Sequence, residues 1–183
     1  MSRLLIILLI FLAIAAPAVG YQTYTGAVLS SASYNVGWLS LEVGVTSNLY
    51  DYTALEAGIH ANWLPTRWLH VGGGLSFASN SLAITDADEQ LDLHSFYGMV
   101  GYHWSLGNSH LVTGVSLGEL DMVGNYYFSG LNSSAFAIGG YAEYVIPFSS
   151  LMGVSLRLNS RSLVFEPVPV TFFSLMAGLT LGL

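Results

Sequence analysis

Four of the five histidines lie beside two short turns, and their spacing gives them the greatest capacity for chemistry in this sequence. His60 and His70 flank a proline turn, and His103 and His110 flank a Gly-Asn turn. If the flanking segments are strands, alternation puts all four imidazoles on the same face of neighbouring strands about 4.8 Å apart. Such imidazoles bind transition metals or respond to pH near neutrality. We predict either a metal- or proton-sensitive cluster or, as the alternative, hydrogen-bonded filler of an interior.

A second set of candidates consists of charged side chains inside otherwise apolar segments. They are Glu42, Glu56, Glu143 and Arg157. Alternation places them on the polar face of their segments. Because a charge inside a protein must be paired, we predict that Arg157 bonds Glu42, Glu143 or both. We interpret the set as a structural ion-pair network, and an ion path or gate is the alternative.

Both sets need strands to position them, and the last fourteen residues show the strand pattern most clearly. Residues 170–183 read VTFFSLMAGLTLGL, with apolar residues at every second position and mostly small or polar residues between them. Alternation over about ten residues is typical of a tilted strand that crosses a bilayer, with one face toward lipid and one toward a lumen. A lone terminal strand would expose unpaired backbone groups, so we predict that it closes a barrel against the first strand.

Seven further segments show the same period of two. The eight predicted strands cover residues 36–46, 53–63, 68–78, 92–104, 110–118, 134–146, 151–160 and 170–183. In the fourth strand we place Phe96, Val100, Tyr102 and Trp104 outward. Short turns alternate with longer polar loops, as in barrels whose short turns and mature termini face the periplasm. The predicted fold class is all-β: an eight-stranded antiparallel up-and-down transmembrane β-barrel.

The composition supports a membrane protein that crosses with strands. Of 183 residues, 53 % are hydrophobic and 8 % charged, and there is no cysteine, whereas soluble domains carry about 25 % charged residues. Beyond the N-terminus no apolar run reaches the length of a transmembrane helix, about 20 residues. A soluble secreted barrel with an apolar interior is the alternative.

The N-terminus has the pattern of a signal peptide. Arg3 precedes an apolar run over residues 4–16 and a small-residue cleavage site near residues 16–20. We therefore divide the chain into a signal peptide (1–20), an N-terminal lead-in (21–35) and a barrel (36–183), with an uncleaved anchor helix as the alternative. Without Arg3, three arginines face eleven acidic residues, a net charge of about −8, which excludes nucleic acid as a partner.

Residues 177–183, AGLTLGL, resemble the C-terminal insertion signal of bacterial outer-membrane β-barrels, with Leu183 in place of the usual aromatic residue. Over residues 36–183 the pattern resembles the small eight-stranded barrels, the class of the outer-membrane protein A transmembrane domain and the opacity-type adhesins. The resemblance implies an integral outer-membrane protein that contacts the lipid bilayer and, through its last strand, the barrel-assembly machinery. It further implies a structural or adhesin-like surface-contact role through extracellular loops, and no cofactor.

The predicted outer loops carry two groups of residues that a ligand would meet. They are the acidic Asp86, Asp88 and Glu89 and the aromatic Tyr126, Tyr127 and Phe128. The acidic group is either a weak calcium site or a solvated loop, which we favour. The aromatic group belongs either to an outer aromatic belt, which we favour, or to a contact surface for a partner.

Two other functions are known for barrels of this class and remain as alternatives, a lipid A or phospholipid-modifying enzyme and a narrow channel. Acyl transfer needs a base beside a hydroxyl. His103 and Ser105 lie at the predicted periplasmic end, the wrong depth for lipid A, and the outer segment at residues 158–160 has no base. Eight-stranded barrels are just filled by their side chains, which excludes a wide pore. We therefore predict no catalytic residues and no enzymatic activity.

Overall fold

Eight antiparallel strands form a closed barrel in the computed structural model of the chain, which describes residues 36–48, 52–80, 91–124, 134–164 and 170–182. The strands are β1 (Val36–Ser47), β2 (Thr53–Leu64), β3 (Leu69–Ser79), β4 (Leu91–Leu106), β5 (Ser109–Gly124), β6 (Ser134–Pro147), β7 (Met152–Leu163) and β8 (Thr171–Leu181). Each strand pairs with the next, and β8 pairs with β1. The predicted eight-stranded up-and-down barrel, closed by its terminal strand, is confirmed.

Several sequence predictions concern residues outside these ranges. They are the signal peptide at residues 1–20, the lead-in at residues 21–35, and the loop residues Asp86, Asp88, Glu89, Tyr126, Tyr127 and Phe128. Within the described ranges, no helix is long and apolar enough to cross a membrane.

Side-chain alternation gives the barrel an apolar exterior. On β1 the outward Leu41, Val43 and Val45 expose between 44 and 67 % of their surfaces, whereas Glu42 and Thr46 between them are buried in the lumen. This is the reverse of a water-soluble barrel, which turns its polar face outward. The exterior therefore suits a hydrocarbon environment.

The fourth strand faces the way that the sequence predicts. Val100, Tyr102 and Trp104 point outward and are about half exposed, with Phe96 on the same face, and His103 is buried inside. The alternation of β4 is therefore continuous from its apolar middle to its turn.

The hairpin of β4 and β5 is longer than predicted, because each strand spans 16 residues. The predicted loop beginning at Glu119 is wrong: Glu119 and Asp121 lie on β5 and point outward, while Leu120 and Met122 are buried inside. The period of two continues here, but charged residues face outward and apolar residues face inward. In the sequence, such a segment resembles a polar loop.

The lumen is polar in the middle and apolar toward the longer connections, and toward the short turns it holds both apolar side chains and the buried His70 and His103. The cluster toward the longer connections, which we call the upper apolar cluster, consists of Tyr52, Ala54, Ala78, Leu91, Leu93, Leu120, Met122, Ala135, Ala137, Leu163 and Phe172. The lower apolar cluster, from mid-barrel to the short turns, consists of Trp38, Leu64, Tyr97, Met99, Val112, Tyr141 and Val145. Around the upper cluster the exterior carries the exposed polar residues His94, Glu119, Asp121 and Ser134 as well as the exposed apolar residues Phe136 and Val123. Charged residues on the outer face indicate that the strands leave the hydrocarbon layer at this end.

One close approach between β6 and β7 requires glycine. The carbonyl oxygen of Ser160 lies where a Cβ of Gly139 would stand. Next to it, the Ser160 hydroxyl accepts from the backbone N–H of Gly140 at 3.0 Å and donates to its carbonyl at 3.3 Å. The two strands are therefore pressed together at a point where a side chain has no room.

We predict that Gly139→Ala destabilises the barrel by about 1–3 kcal/mol, the usual cost of overpacking. Gly98→Ala is the matched control, because Gly98 faces outward on β4 and its Cβ would meet no atom closer than 4.0 Å. Urea unfolding of the refolded protein in micelles, followed by tryptophan fluorescence, measures both. Equal midpoints for the two variants would contradict the prediction.

Candidate functional site

Arg157 stands at the centre of the polar interior, between two carboxylates. Its Nε donates to Glu42 Oε2 at 3.0 Å and its Nη2 donates to Glu143 Oε2 at 2.6 Å, and all three side chains are inaccessible to solvent. Its Nη1 contacts the Met99 sulfur at 3.1 Å, and its guanidinium carbon lies 5.8 Å from the centre of the Tyr141 ring. The structure thus brings together Arg157, Glu42 and Glu143 from the predicted ion-pair set.

Strand register explains how the three groups meet. Glu143 and Arg157 are direct partners on β6 and β7. Glu42 reaches across β8, because it is opposite Gly178, which is in turn opposite Ser155 of β7. Gly178 adds no side chain to the lumen, and Ser155 donates to Glu42 Oε1 at 2.7 Å.

A chain of contacts runs from Tyr97 through His60 to Glu42. The Nδ1 atom of His60 lies 2.9 Å from Glu42 Oε2, and its Nε2 atom lies 2.5 Å from the Tyr97 hydroxyl. The contact with Tyr97 is a hydrogen bond, and the contact with Glu42 places the His60 ring against the carboxylate oxygen that also binds Arg157. Glu42 thus lies at the end of this chain of contacts.

A second chain runs from Tyr141 to the other carboxylate. Tyr141 donates to His70 Nδ1 at 2.6 Å, and His70 Nε2 donates to Asn62 Oδ1 at 3.0 Å. Asn62 Nδ2 donates to Ser40 at 3.4 Å, and Ser40 donates to Glu143 Oε1 at 3.0 Å. Both chains begin at a tyrosine, pass through a histidine and end on a carboxylate that Arg157 binds.

Inward-facing glycines make room for the two tyrosines. A Cβ at Gly74 would overlap the rings of His60 and Tyr97. A Cβ at Gly101 would lie 2.6 Å from the Tyr141 hydroxyl, and one at Gly114 would lie 2.9 Å from its ring. Small residues opposite aromatic rings let a narrow lumen hold both chains.

Arg161 forms a second charged layer that sequence analysis missed. Its Nη2 donates to both oxygens of Glu56 at 2.8 Å, and its Nη1 donates to Ser76 at 3.0 Å and to Ser95 at 2.6 Å. Ser174 donates to Glu56 Oε2 at 2.6 Å. Glu56, predicted to share a network with Arg157, is therefore bound by a different arginine.

The prediction that Arg161 begins a loop is wrong, because β7 extends to Leu163. The sequence does contain a sign of the longer strand, since Arg157, Asn159 and Arg161 follow one another with a period of two and all face inward. A charged residue after a serine suggested the end of the strand. Arg161 can lie in the lumen because Glu56 pairs with it.

The four candidate histidines do not form one cluster. His60 and His70 belong to the chains described above, while His103 and His110 form a separate pair beside the short turn between β4 and β5. His103 Nε2 lies 2.9 Å from His110 Nδ1, and His103 Nδ1 donates to the carbonyl of Arg67 at 2.7 Å. In the part of the chain that the structure describes, no three histidine, aspartate or glutamate side chains are grouped so as to hold a metal ion.

Comparison with known proteins identifies the fold. No family model and no curated protein matches the chain. Neisserial surface protein A is 11 % identical with a TM-score of 0.59, and the match covers 80 % of this chain and 96 % of that one. The outer membrane protein OprG from Pseudomonas aeruginosa is 7 % identical with a TM-score of 0.55, over 79 % and 94 % of the two chains. The outer membrane enzyme PagL is 12 % identical with a TM-score of 0.51, over 80 % and 99 %.

These likenesses, at such low identity, concern the fold. Together with the closed eight-stranded sheet and the apolar exterior, they define the class of the protein: it is a small eight-stranded β-barrel of the outer-membrane type. The predicted resemblance to the small outer-membrane barrels is confirmed at the level of architecture.

We predict that Arg157→Met destabilises the barrel by about 3–5 kcal/mol, because it leaves Glu42 and Glu143 buried beside each other without a cation. Arg67→Met is the control, since Arg67 is exposed in the turn before β3. Urea unfolding in micelles measures both variants. Changing Glu42 and Glu143 to glutamine in the Arg157→Met background should restore part of the lost stability. If Arg157→Met is as stable as Arg67→Met, Arg157 does not stabilise the barrel by pairing with the two carboxylates.

Proposed function

We propose that this protein is a closed, non-conducting barrel of the bacterial outer membrane with a structural or surface-contact role at the end that bears its longer connections. The observation that carries the proposal is the sealed interior: the lumen charges of Arg157, Glu42 and Glu143 are paired and have no access to solvent. A chain whose interior is closed acts through its exterior and its ends.

Several layers across the lumen argue against the channel alternative. The upper apolar cluster lies between the charged layers and the longer connections, and Met99 and Tyr141 of the lower apolar cluster contact Arg157 itself. Arg161 adds a second guanidinium, bonded on both terminal nitrogens, between Arg157 and the upper cluster. An ion would have to break buried ion pairs and then enter an apolar layer, both of which are costly.

The contacts of His103 and Ser160 argue against acyl transfer at either of these two residues. His103 lies at the short-turn end, bonded to His110 and to the Arg67 carbonyl. At the other end, the Ser160 hydroxyl is engaged with the backbone of Gly140. Catalysis of acyl transfer requires a base that contacts an accessible hydroxyl. The likeness to PagL, at 12 % identity, supports a common fold and no more.

The orientation that we propose places the short turns and both mature termini in the periplasm. Three connections are short, and the longer ones emerge where the polar residues His94, Glu119 and Asp121 face outward. Long extracellular loops and short periplasmic turns are typical of such barrels. The acidic segment at residues 86–89 and the aromatic segment at residues 126–128 would then face the cell exterior and any ligand there. The last strand would present the insertion signal to the barrel-assembly machinery.

A closed lumen predicts no conductance and, for a non-enzyme, no change in lipids. The purified protein in planar phospholipid bilayers should show no stepwise current. Mass spectrometry of lipid A and phospholipids should give the same result for cells with and without the protein. Current steps or altered acyl chains would overturn the proposal.

The surface-contact role predicts a loss of adhesion when a long connection is replaced. Replacing residues 81–90 by a Gly-Ser segment of equal length should preserve folding and reduce adhesion of expressing bacteria to a cultured epithelial layer.

The proposed orientation can be tested with single cysteines, because the chain has none of its own. In intact cells a membrane-impermeant maleimide should label Asp88→Cys in a long connection and should spare Asn108→Cys in the short turn between β4 and β5. Permeabilising the outer membrane should expose Asn108→Cys. Labelling of Asn108→Cys alone in intact cells would reverse the orientation.

A further inference from the structure

The pair formed by His103 and His110 has the features of a partial metal site. His103 is 3 % exposed, and His110 is half-buried near the short-turn end of the lumen. The pairing of β4 with β5 places His103 opposite Val112 and His110 opposite Ser105, so that the imidazoles are diagonal neighbours on the inner face. A two-residue turn, with Gly107 at φ 67°, joins the strands and holds this register.

His103 is oriented as a ligand histidine is. Its Nδ1–H donates to the Arg67 carbonyl at 2.7 Å, which leaves Nε2 with the lone pair. Histidines that bind metals almost always donate their other ring N–H to a carbonyl or carboxylate in this way, which fixes the tautomer and the ring. The backbone N–H of His103 also bonds the carbonyl of Trp68 at 2.8 Å, so the residue is tied to the neighbouring turn at two points.

His110 presents its Nδ1 to that lone pair at 2.9 Å. In the neutral pair a hydrogen on His110 Nδ1 fills the gap between the two nitrogens. A metal ion would replace this hydrogen: at about 2.0–2.1 Å per Zn–N bond and a tetrahedral angle, the two nitrogens would be about 3.4 Å apart. The required opening is small, and His110 is half-buried beside a turn. Its ring is stacked on Trp38, with 6.5 Å between centroids and 24° between planes.

We propose that His103 Nε2 and His110 Nδ1 bind one late first-row divalent ion, Cu(II) or Zn(II), at the short-turn end of the barrel. Imidazole nitrogens favour these ions over calcium and magnesium, which prefer oxygen ligands. The protein supplies two ligands, and water or a small anion completes the coordination. The proposal is independent of the surface-contact role, which concerns the opposite end of the barrel.

His94 provides a matched control for adventitious binding. It is the fifth histidine of the chain, and it is exposed on the outer face of β4 near the longer connections. His94→Phe removes one imidazole and leaves the pair intact. His110→Phe also removes one imidazole, and it keeps an aromatic ring against Trp38.

The experiment titrates Cu(II) into the full-length protein, purified without a histidine tag and refolded in micelles, and records electron paramagnetic resonance. The expected result is one ion per chain, with hyperfine splitting from two imidazole nitrogens in the wild type and in His94→Phe. His110→Phe should bind at least about tenfold more weakly, since even the loss of outer partners of metal ligands costs about 10–100-fold. Zn(II) should raise the melting temperature of wild type and His94→Phe and have no effect on His110→Phe.

Equal binding by His110→Phe and wild type, or loss of binding in His94→Phe, would overturn the proposal and assign the ion to the surface. If His110→Phe does not refold, His110→Asn replaces it. If neither variant refolds, the wild type alone decides, because a spectrum with fewer than two histidine nitrogens, tested with ¹⁵N-histidine, would contradict the site.

Discussion

The pairing of buried charge is the constraint on which the interior of this barrel depends. Arg157 is inaccessible to solvent and has a carboxylate on either side, Glu42 at 3.0 Å and Glu143 at 2.6 Å. Removing one charge from such a group leaves the others uncompensated in a medium that stabilises them poorly. The two tyrosine–histidine chains end on the same carboxylates. Ser155 donates to the other oxygen of Glu42, and Trp38 donates to Glu143. Strands that are far apart along the chain are thereby linked through side chains as well as through the sheet.

The narrow lumen sets the second constraint, which is one of volume. Eight strands enclose an interior just wide enough for side chains to fill, so each large inward residue needs a small one beside it. Gly74 faces Tyr97, and Gly101 and Gly114 face Tyr141. The glycines thus supply space for the rings. Toward the longer connections the upper apolar cluster covers the charged layers, and burial of this kind increases the cost of leaving a charge without a partner.

Along β5 the kind of residue that faces outward changes from apolar to charged, and the kind that faces inward changes in the opposite direction. Over most of the strand, apolar residues face outward and small or polar ones inward. From Glu119 onward the charged residues face outward, and Leu120 and Met122 fill the lumen. The same period of two therefore serves both a lipid-facing and a water-facing section. Because we expected apolar residues on the outward face, we predicted that β5 ends before Glu119. We likewise took the charge of Arg161 as the end of β7, although this strand extends to Leu163.

Alternation and turn residues in the sequence by themselves determined the number of strands, their faces and the closure of the barrel, because a period of two is a local property of each segment. The same logic placed Arg157, Glu42 and Glu143 in the lumen. Stagger between neighbouring strands, which no single segment encodes, decided the partners. It assigned Glu56 to Arg161 and divided the four histidines into His60 and His70, which serve the central network, and the separate pair of His103 and His110. Which inward side chains contact one another depends on the offsets between all neighbouring strands around the closed sheet. Only the tertiary structure fixes these offsets.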